Sequence, residues 1–304
     1  MGSVVISIDA ELGWGHHDRS DPPADRVENA RRGWIRLLHL LDEYEVPATW
    51  AVVGHLFLDN CDGTHADHPS EEDWFGRERR EWRLRPELRF GYGLVDAVRE
   101  SPVAHEIGSH SFSHVEFGDV SRELARAELA ASVDAANERD VELDSFVYPR
   151  HRIGHLDLLS EYGFTCYRGL CPDRASSIPF GLPVRKAART FLPDLSPPLV
   201  KPELDERGLV DIPASMYLFG AEGPFRTVAE TLWRDPMTGM ARKGIDAAAE
   251  SDGEVFHLWL HPNDITSVDD ARRIEAILQY LARRREETPL SVATMGTVAE
   301  QARH

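Results

Sequence analysis

Short apolar runs alternate with helix-patterned stretches along most of this chain, and that alternation limits the folds open to it. Val4-Val5-Ile6-Ser7-Ile8 reads as a strand, and residues 25–44 follow as a helix with Trp34, Leu37, Leu38 and Leu41 at helical spacing. Residues 48–53 read as the second strand, stopped by Gly54, and Glu106-Ile107 as another short one. Further strands are expected at 145–148, 164–167, 209–213 and 255–260, with helices at 94–99, 122–139, 155–162, 242–250 and 269–285. Repeated β-α units without a Gly-x-Gly-x-x-Gly turn argue for a parallel α/β barrel rather than a dinucleotide-binding sheet. Residues 60–91 are polar, charged and broken by Pro69 and Pro86, so they read as a long insertion loop over a site. Residues 171–202 are Pro-rich and irregular, and no internal repeat is seen. The chain is read as one catalytic domain spanning 1–304.

In such a barrel the C-terminal strand ends converge on one face, where active sites sit. The polar groups with chemistry in them stand at those positions. Asp9-Ala10-Glu11 closes the first strand, and its i, i+2 spacing puts both acids on one side. His110 and His114 follow Glu106-Ile107-Gly108 and, if a helix starts there, project from the same face one turn apart. Arg150 follows the strand ending at Tyr148, and His261 follows the one ending at Leu260. Taken singly, each has a plainer explanation: a capping Ser109 or Ser111 beside solvated histidines, acids in a turn, a histidine that ends a strand. Taken together they supply a kit for amide hydrolysis. Two imidazoles and a carboxylate hold zinc with one position open for water. The ion lowers the pKa of that water to about 7, a second carboxylate takes its proton, and a histidine opposite protonates the leaving amine.

Bulk properties exclude several classes. The 52 acidic and 34 basic residues give a formal charge of −18, which disfavours nucleic acid and anionic membranes as partners. Only 3 of the basic residues are lysines, against 31 arginines, a bias that fits a salt-adapted or a GC-rich source. No apolar run approaches the ~20 residues needed to span a bilayer. The chain enters its first strand at once, without a signal-like segment, so a cytoplasmic protein is expected. The cysteines, Cys61, Cys166 and Cys171, are odd in number and form no Cys-x-x-Cys, which points to neither a disulfide framework nor a thiolate zinc site. Oligomeric state is not readable.

The order of these motifs resembles the polysaccharide deacetylases, carbohydrate esterase family four. Ser7 to Glu11 is similar to the family's first motif, in an Asp-x-acid variant. Residues 47–54 are similar to its second strand, and residues 106–114 to its metal-binding histidine motif. Tyr148-Pro149-Arg150-His151 resembles the third motif with Arg after Pro rather than before it. Residues 211–215 and 256–262 resemble the last two. The resemblance implies a distorted (β/α) barrel of about seven strands. It implies one divalent ion, most often zinc, and removal of an N-acetyl or O-acetyl group from a sugar, glycan or glycan precursor. Carried over by position, Asp9 is the general base, Glu11, His110 and His114 hold the ion, His261 is the general acid, and Arg150 keeps Asp9 ionised. The i+2 glutamate leaves a swapped assignment open, with Asp9 as ligand and Glu11 as base. The aspartate that tunes the acid histidine is not placed, Asp211 and Asp235 being candidates. Trp74, Tyr92, Trp259 and Asn263 are candidate sugar-subsite residues. Relatives that deformylate amino sugars or open cyclic ureides, and a non-catalytic sugar-binding protein, are the alternatives.

Overall fold

The computed structural model describes residues 1–71, 73–172, 196–220 and 235–304. The helices are α1 (Ala24–Glu43), α2 (Gly76–Arg79), α3 (Pro86–Arg89), α4 (Tyr92–Arg99), α5 (Arg122–Asn137), α6 (Leu156–Glu161), α7 (Pro236–Glu250), α8 (Val268–Glu287) and α9 (Met295–Arg303). The strands are β1 (Ser3–Ala10), β2 (Thr49–Val52), β3 (Glu106–Ser109), β4 (Ser145–Val147), β5 (Cys166–Arg168), β6 (Glu203–Leu204), β7 (Val210–Asp211), β8 (Met216–Tyr217), β9 (Val255–Leu260) and β10 (Ser291–Ala293). They form one curled sheet in the order β6-β7-β5-β4-β3-β2-β1-β9-β8. Every pair is parallel except β6 with β7, and β10 pairs with Ser3–Val5 of β1 below the stretch that pairs with β2. The α/β barrel architecture is as expected, but the sheet has 10 strands. The difference lies in β6 and β8, two residues each, and in the three-residue β10 near the C-terminus, which are too short to carry a period-2 signal.

β1 is buried along its whole length, as expected of a strand sandwiched between parallel neighbours and covered on both faces. Its alternation separates two environments. Val4, Ile6 and Ile8 pack outward with Trp34, Leu37 and Leu41 of α1. Val5 points inward with Ala51, Val147, Cys166, Val210, Ile212, Val255 and Ala293, and Met295, Val298 and Ala299 of α9 fill the same interior. The C-terminal helix therefore plugs the barrel at the N-terminal ends of the strands. Further along, the inward positions turn polar: Ser7 and Asp9 on β1, Arg168 on β5, and His257 and Trp259 on β9, which are in register with Val5 and Ser7. The apolar plug and the polar mouth are two ends of one interior.

Two contacts fix the loops at that mouth. A Cβ on Gly33 of α1 would lie 2.0 Å from the Pro262 carbonyl oxygen, so only glycine lets α1 approach the turn after β9. In that turn, Asn263 Nδ2 donates to the Leu12 carbonyl at 2.7 Å, tying the loop after β9 to the loop after β1. The 60–91 segment is more ordered than a plain loop. It contains α2 and α3, and buries Phe75, Trp82 and Leu88 against the loop after β1, where Gly13 N donates to Leu88 O. The Pro-rich stretch expected at 171–202 lies outside the described residues over 173–195.

Candidate active site

Glu11, His110 and His114 come together at the mouth. All three are buried, and one donor atom from each lies within 4.8 Å of the others. Glu11 Oε2 is 3.1 Å from His114 Nε2 and 3.7 Å from His110 Nε2. The two imidazoles do not share a helix face. β3 ends at Ser109, and 110–114 is a turn in which Ser111 and His114 take φ values of 61° and 67°. The helix expected here is absent because the backbone is held otherwise. Phe112 N and Ser113 N both donate to Glu128 Oε2 of α5, at 2.9 and 2.8 Å, and the Ser113 hydroxyl donates to the other carboxylate oxygen. A buried carboxylate capping two backbone N–H groups is a charge-assisted anchor. The Ser111 hydroxyl accepts from His114 N at 2.9 Å.

His110 Nδ1 lies 2.7 Å from the Val147 carbonyl, which can only accept, so Nδ1 carries the proton and Nε2 faces the acids with a free lone pair. That Nε2 is buried with no hydrogen-bond partner. An orphaned imidazole lone pair beside a carboxylate and a second imidazole is the donor set a divalent ion takes, with the backbone carbonyl fixing the tautomer. The residues therefore fit the expected ion. Gly15 is part of the same construction: a Cβ there would fall 1.9 Å from Glu11 Oε1.

Asp9 is held differently. Both of its oxygens are taken by Arg168, Nη1 to Oδ1 at 2.6 Å and Nη2 to Oδ2 at 2.7 Å. Arg168 also donates to the Ser7 hydroxyl at 3.1 Å and lies over the Trp259 ring at 4.5 Å. Burial opposes ionisation of Asp9, but Arg168, His110 and His261 outweigh it and hold the carboxyl well below the usual range. Burial likewise opposes Glu11, and His261, His110 and His114 override it, so both acids are ionised. The contact expected between Arg150 and Asp9 is not formed. Arg150, at φ 51° in the turn after β4, pairs with Asp18 and Glu116, both at 2.7 Å. Left-handed backbone at that residue sends its side chain to the rim, and the inward-facing position of β5 supplies the arginine instead.

His261 stands on the other side of Asp9, with Nε2 3.7 Å from Asp9 Oδ2. Its side chain is 21% exposed while those of Asp9 and Glu11 are 4% and 6%, so it forms the solvent edge of the site. Its partner is Asp264, whose Oδ2 lies 3.0 Å from His261 Nδ1 and also accepts from the Tyr217 hydroxyl at 2.8 Å. Burial disfavours the imidazolium, but Asp264, Glu11 and Asp9 outweigh it and raise His261 to about 10. The aspartate that contacts the His261 ring is thus Asp264, not Asp211 or Asp235. Asp235 caps α7 and pairs with Arg273 at 3.0 Å, and the Asp211 carboxylate packs against Gly169.

The proposed sugar-subsite residues divide. Trp259 stacks on Tyr217 at 4.2 Å and meets His151 and His261 edge-on at 4.6 and 5.4 Å, so it does line the mouth. Trp74 donates from Nε1 to Ser113 at 2.8 Å and meets His17 at 4.5 Å, beside the histidine turn. Tyr92 lies on α4 with the Arg139 guanidinium 5.2 Å above its ring. Asn263 is 1% exposed and serves the loop contact described above, so it does not present a surface to substrate. Sequence reasoning missed Arg168, Asp264, Tyr217, and His257, whose Nε2 reaches the Ser7 hydroxyl at 2.8 Å. Arg168 ends a strand, the very placement rule that singled out the other groups.

Comparison with known proteins bears on the fold. The polysaccharide deacetylase family model matches residues 25–164. The chain resembles the polysaccharide deacetylases. A putative polysaccharide deacetylase from Mycobacterium smegmatis superposes with a TM-score of 0.59 at 19% identity, over 99% of this chain and 90% of that one. A probable polysaccharide deacetylase from Pseudomonas aeruginosa PAO1 gives 0.59 at 14% identity, over 98% and 89%. PuuE allantoinase gives 0.53 at 12% identity, over 98% and 89%. No curated protein sequence matches the chain. Among the described residues, no helix is long and apolar enough to cross a membrane.

Proposed function

We propose that the chain is a metal-dependent hydrolase that removes an N-acetyl group, or less often an O-acetyl group, from a sugar, glycan or glycan precursor. One observation carries the reading: the Glu11–His110–His114 cluster lies beside an arginine-held carboxylate and an aspartate-held histidine. Glu11, His110 and His114 would hold a divalent ion such as zinc, which would polarise an acyl carbonyl and acidify water. The chain's own groups do the rest. Asp9, kept ionised by Arg168, takes a proton from the attacking water as oxygen adds to the acyl carbon. His261, kept protonated by Asp264, gives its Nε2 proton to the sugar nitrogen as the C–N bond breaks. Acetate and a free amine leave. Trp259 and Tyr217 form an aromatic wall of the mouth, beside which the sugar ring would lie.

The test is release of acetate from N-acetylated chito-oligosaccharides by the purified protein, lost on chelation and restored by zinc or cobalt. Full activity in a metal-free preparation contradicts the mechanism. The likeness in fold to an allantoinase puts allantoin in the same assay, and formate is measured beside acetate. Formate release, or opening of allantoin without acetate release, replaces the acetyl reading with the corresponding hydrolase. Undiminished sugar binding by Asp9→Asn with no turnover by the wild type supports a sugar-binding protein instead.

Asp264→Asn gives a second check. His261 must be protonated to act, so the alkaline limb of the rate profile follows its pKa. Removing the Asp264 charge disfavours the imidazolium, and that limb is expected to move to lower pH by about 1–3 units. The acid limb stays in place. An alkaline limb that does not move takes His261 out of the acid role.

A further inference from the structure

The insertion that follows β2 brings four ligand-type side chains together away from the active site. His55 stands in the turn after β2, Cys61 and His65 open the insertion, and Glu78 is on α2. One donor atom from each lies within 4.8 Å of all the others. Glu78 Oε1 is 3.0 Å from His55 Nε2, and Glu78 Oε2 is 3.1 Å from His65 Nε2. Cys61 Sγ is 3.4 Å from His65 Nε2. Ligands on a tetrahedral zinc sphere of about 2.0–2.3 Å radius sit roughly 3.3–3.8 Å apart, and these three contacts, at 3.0, 3.1 and 3.4 Å, are close to that spacing.

The surrounding groups are arranged as a metal's outer shell would be. His55 Nδ1 lies 3.3 Å from the Arg89 carbonyl, which puts the proton on Nδ1 and turns the Nε2 lone pair inward. That Nε2 is fully buried and, despite its proximity to Glu78, makes no aligned hydrogen bond. Gly63 N donates to Cys61 Sγ at 3.3 Å, and Arg89 Nη1 donates to Glu78 Oε1 at 2.9 Å. Cysteine counting misses the cluster because its ligands are separated by five, three and twelve residues and only one is a cysteine.

We propose that His55, Cys61, His65 and Glu78 form a second divalent-metal site, tetrahedral and closed, that takes zinc and fastens the insertion to the barrel. All four tetrahedral positions are filled by protein, which is the pattern of a structural rather than a catalytic ion. Its place in the fold says what it would steady. His55 N donates to the Phe112 carbonyl and Gly54 N to the Ser111 carbonyl, inside the histidine turn of the active site. The His55 ring packs on Trp14 at 4.4 Å, and Trp14 N donates to the Glu11 carbonyl. An ion here grips the backbone that carries three catalytic-site ligands without touching the substrate.

Metal analysis and cobalt spectroscopy of the full chain test the site. After loading with zinc and dialysis, two equivalents are expected in the wild type and one in Cys61→Ser and in His65→Ala. Those two variants should also unfold at a temperature several degrees lower. The active-site cluster has no thiol, so a thiolate-to-cobalt charge-transfer absorption in the near ultraviolet reports on the second site alone. It is expected in the cobalt-loaded wild type and in His114→Ala, and not in Cys61→Ser. Its absence from the cobalt-loaded wild type, whatever the variants do, overturns the proposal. So does an unchanged metal content in Cys61→Ser.

Discussion

Asp9→Asn should lower kcat by about 10²–10⁴-fold, the usual contribution of a positioned proton acceptor, while metal content stays at the wild-type level. Asparagine has nearly the same shape and can still face Arg168, but its amide cannot take a proton from water. The geometry gives a reason to expect the metal to stay. Both Asp9 oxygens are committed to the guanidinium at 2.6 and 2.7 Å, and Asp9 Oδ2 is 3.9 Å from His110 Nε2, so Asp9 is the poorer ligand of the two acids. Arg168→Met should be worse for the fold than for the metal. Removing one partner of a buried pair leaves an uncompensated carboxylate, at a cost of about 3–5 kcal/mol, unless Asp9 takes up a proton. Either way the base is lost, by unfolding or by neutralisation. Activity read across pH separates the two: a folded Arg168→Met protein should recover some rate as pH rises and Asp9 ionises again.

Glu11→Ala and His114→Ala should lose activity by about three orders of magnitude or more, as groups acting in one catalytic unit do, and should each lose one equivalent of metal. Glu11 Oε2 is 3.1 Å from His114 Nε2 and 3.7 Å from His110 Nε2, so removing any of the three leaves a two-ligand remnant. His114→Ala also tests the turn. Its backbone sits at φ 67°, strained for any residue with a Cβ, and the anchoring hydrogen bonds come from Ser111, Phe112 and Ser113 rather than from the His114 ring. The turn should therefore survive the substitution, with the loss confined to the ion and the rate.

How much of this was legible in the sequence differs from element to element. β9 was readable to the residue, because Val255–Leu260 is an apolar run broken only by His257, with polar flanks. α1 and α8 were readable within a few residues, because long amphipathic helices repeat their signal. The inward-facing acids followed from i, i+2 alternation at the end of β1. The histidine pair was visible as a spacing, but its conformation was not. What holds 110–114 out of a helix is Glu128, a residue of another element, and no local pattern reports such a contact. Arg150 misled for a similar reason: a strand-Pro-Arg sequence says that an arginine follows a strand, not that φ at that residue turns it outward. Asp264 sits three residues after His261, in a Pro-Asn-Asp turn where an aspartate reads first as a cap. It is one, accepting from His261 N at 3.1 Å, and it is also the partner of the ring. The Cys61 cluster was out of reach because its ligands converge only once the insertion has folded against β2.

The assignment of the two acids is the point on which the mechanism turns, and it can be measured in one comparison. Wild type, Asp9→Asn and Glu11→Ala are loaded with zinc, dialysed together and analysed for bound metal and for acetate release. Asp9→Asn is expected to be nearly inactive with its full complement of metal, and Glu11→Ala to be inactive with one equivalent fewer than wild type. Glu11→Ala that keeps the wild-type metal content, or Asp9→Asn that loses an equivalent, would contradict the account.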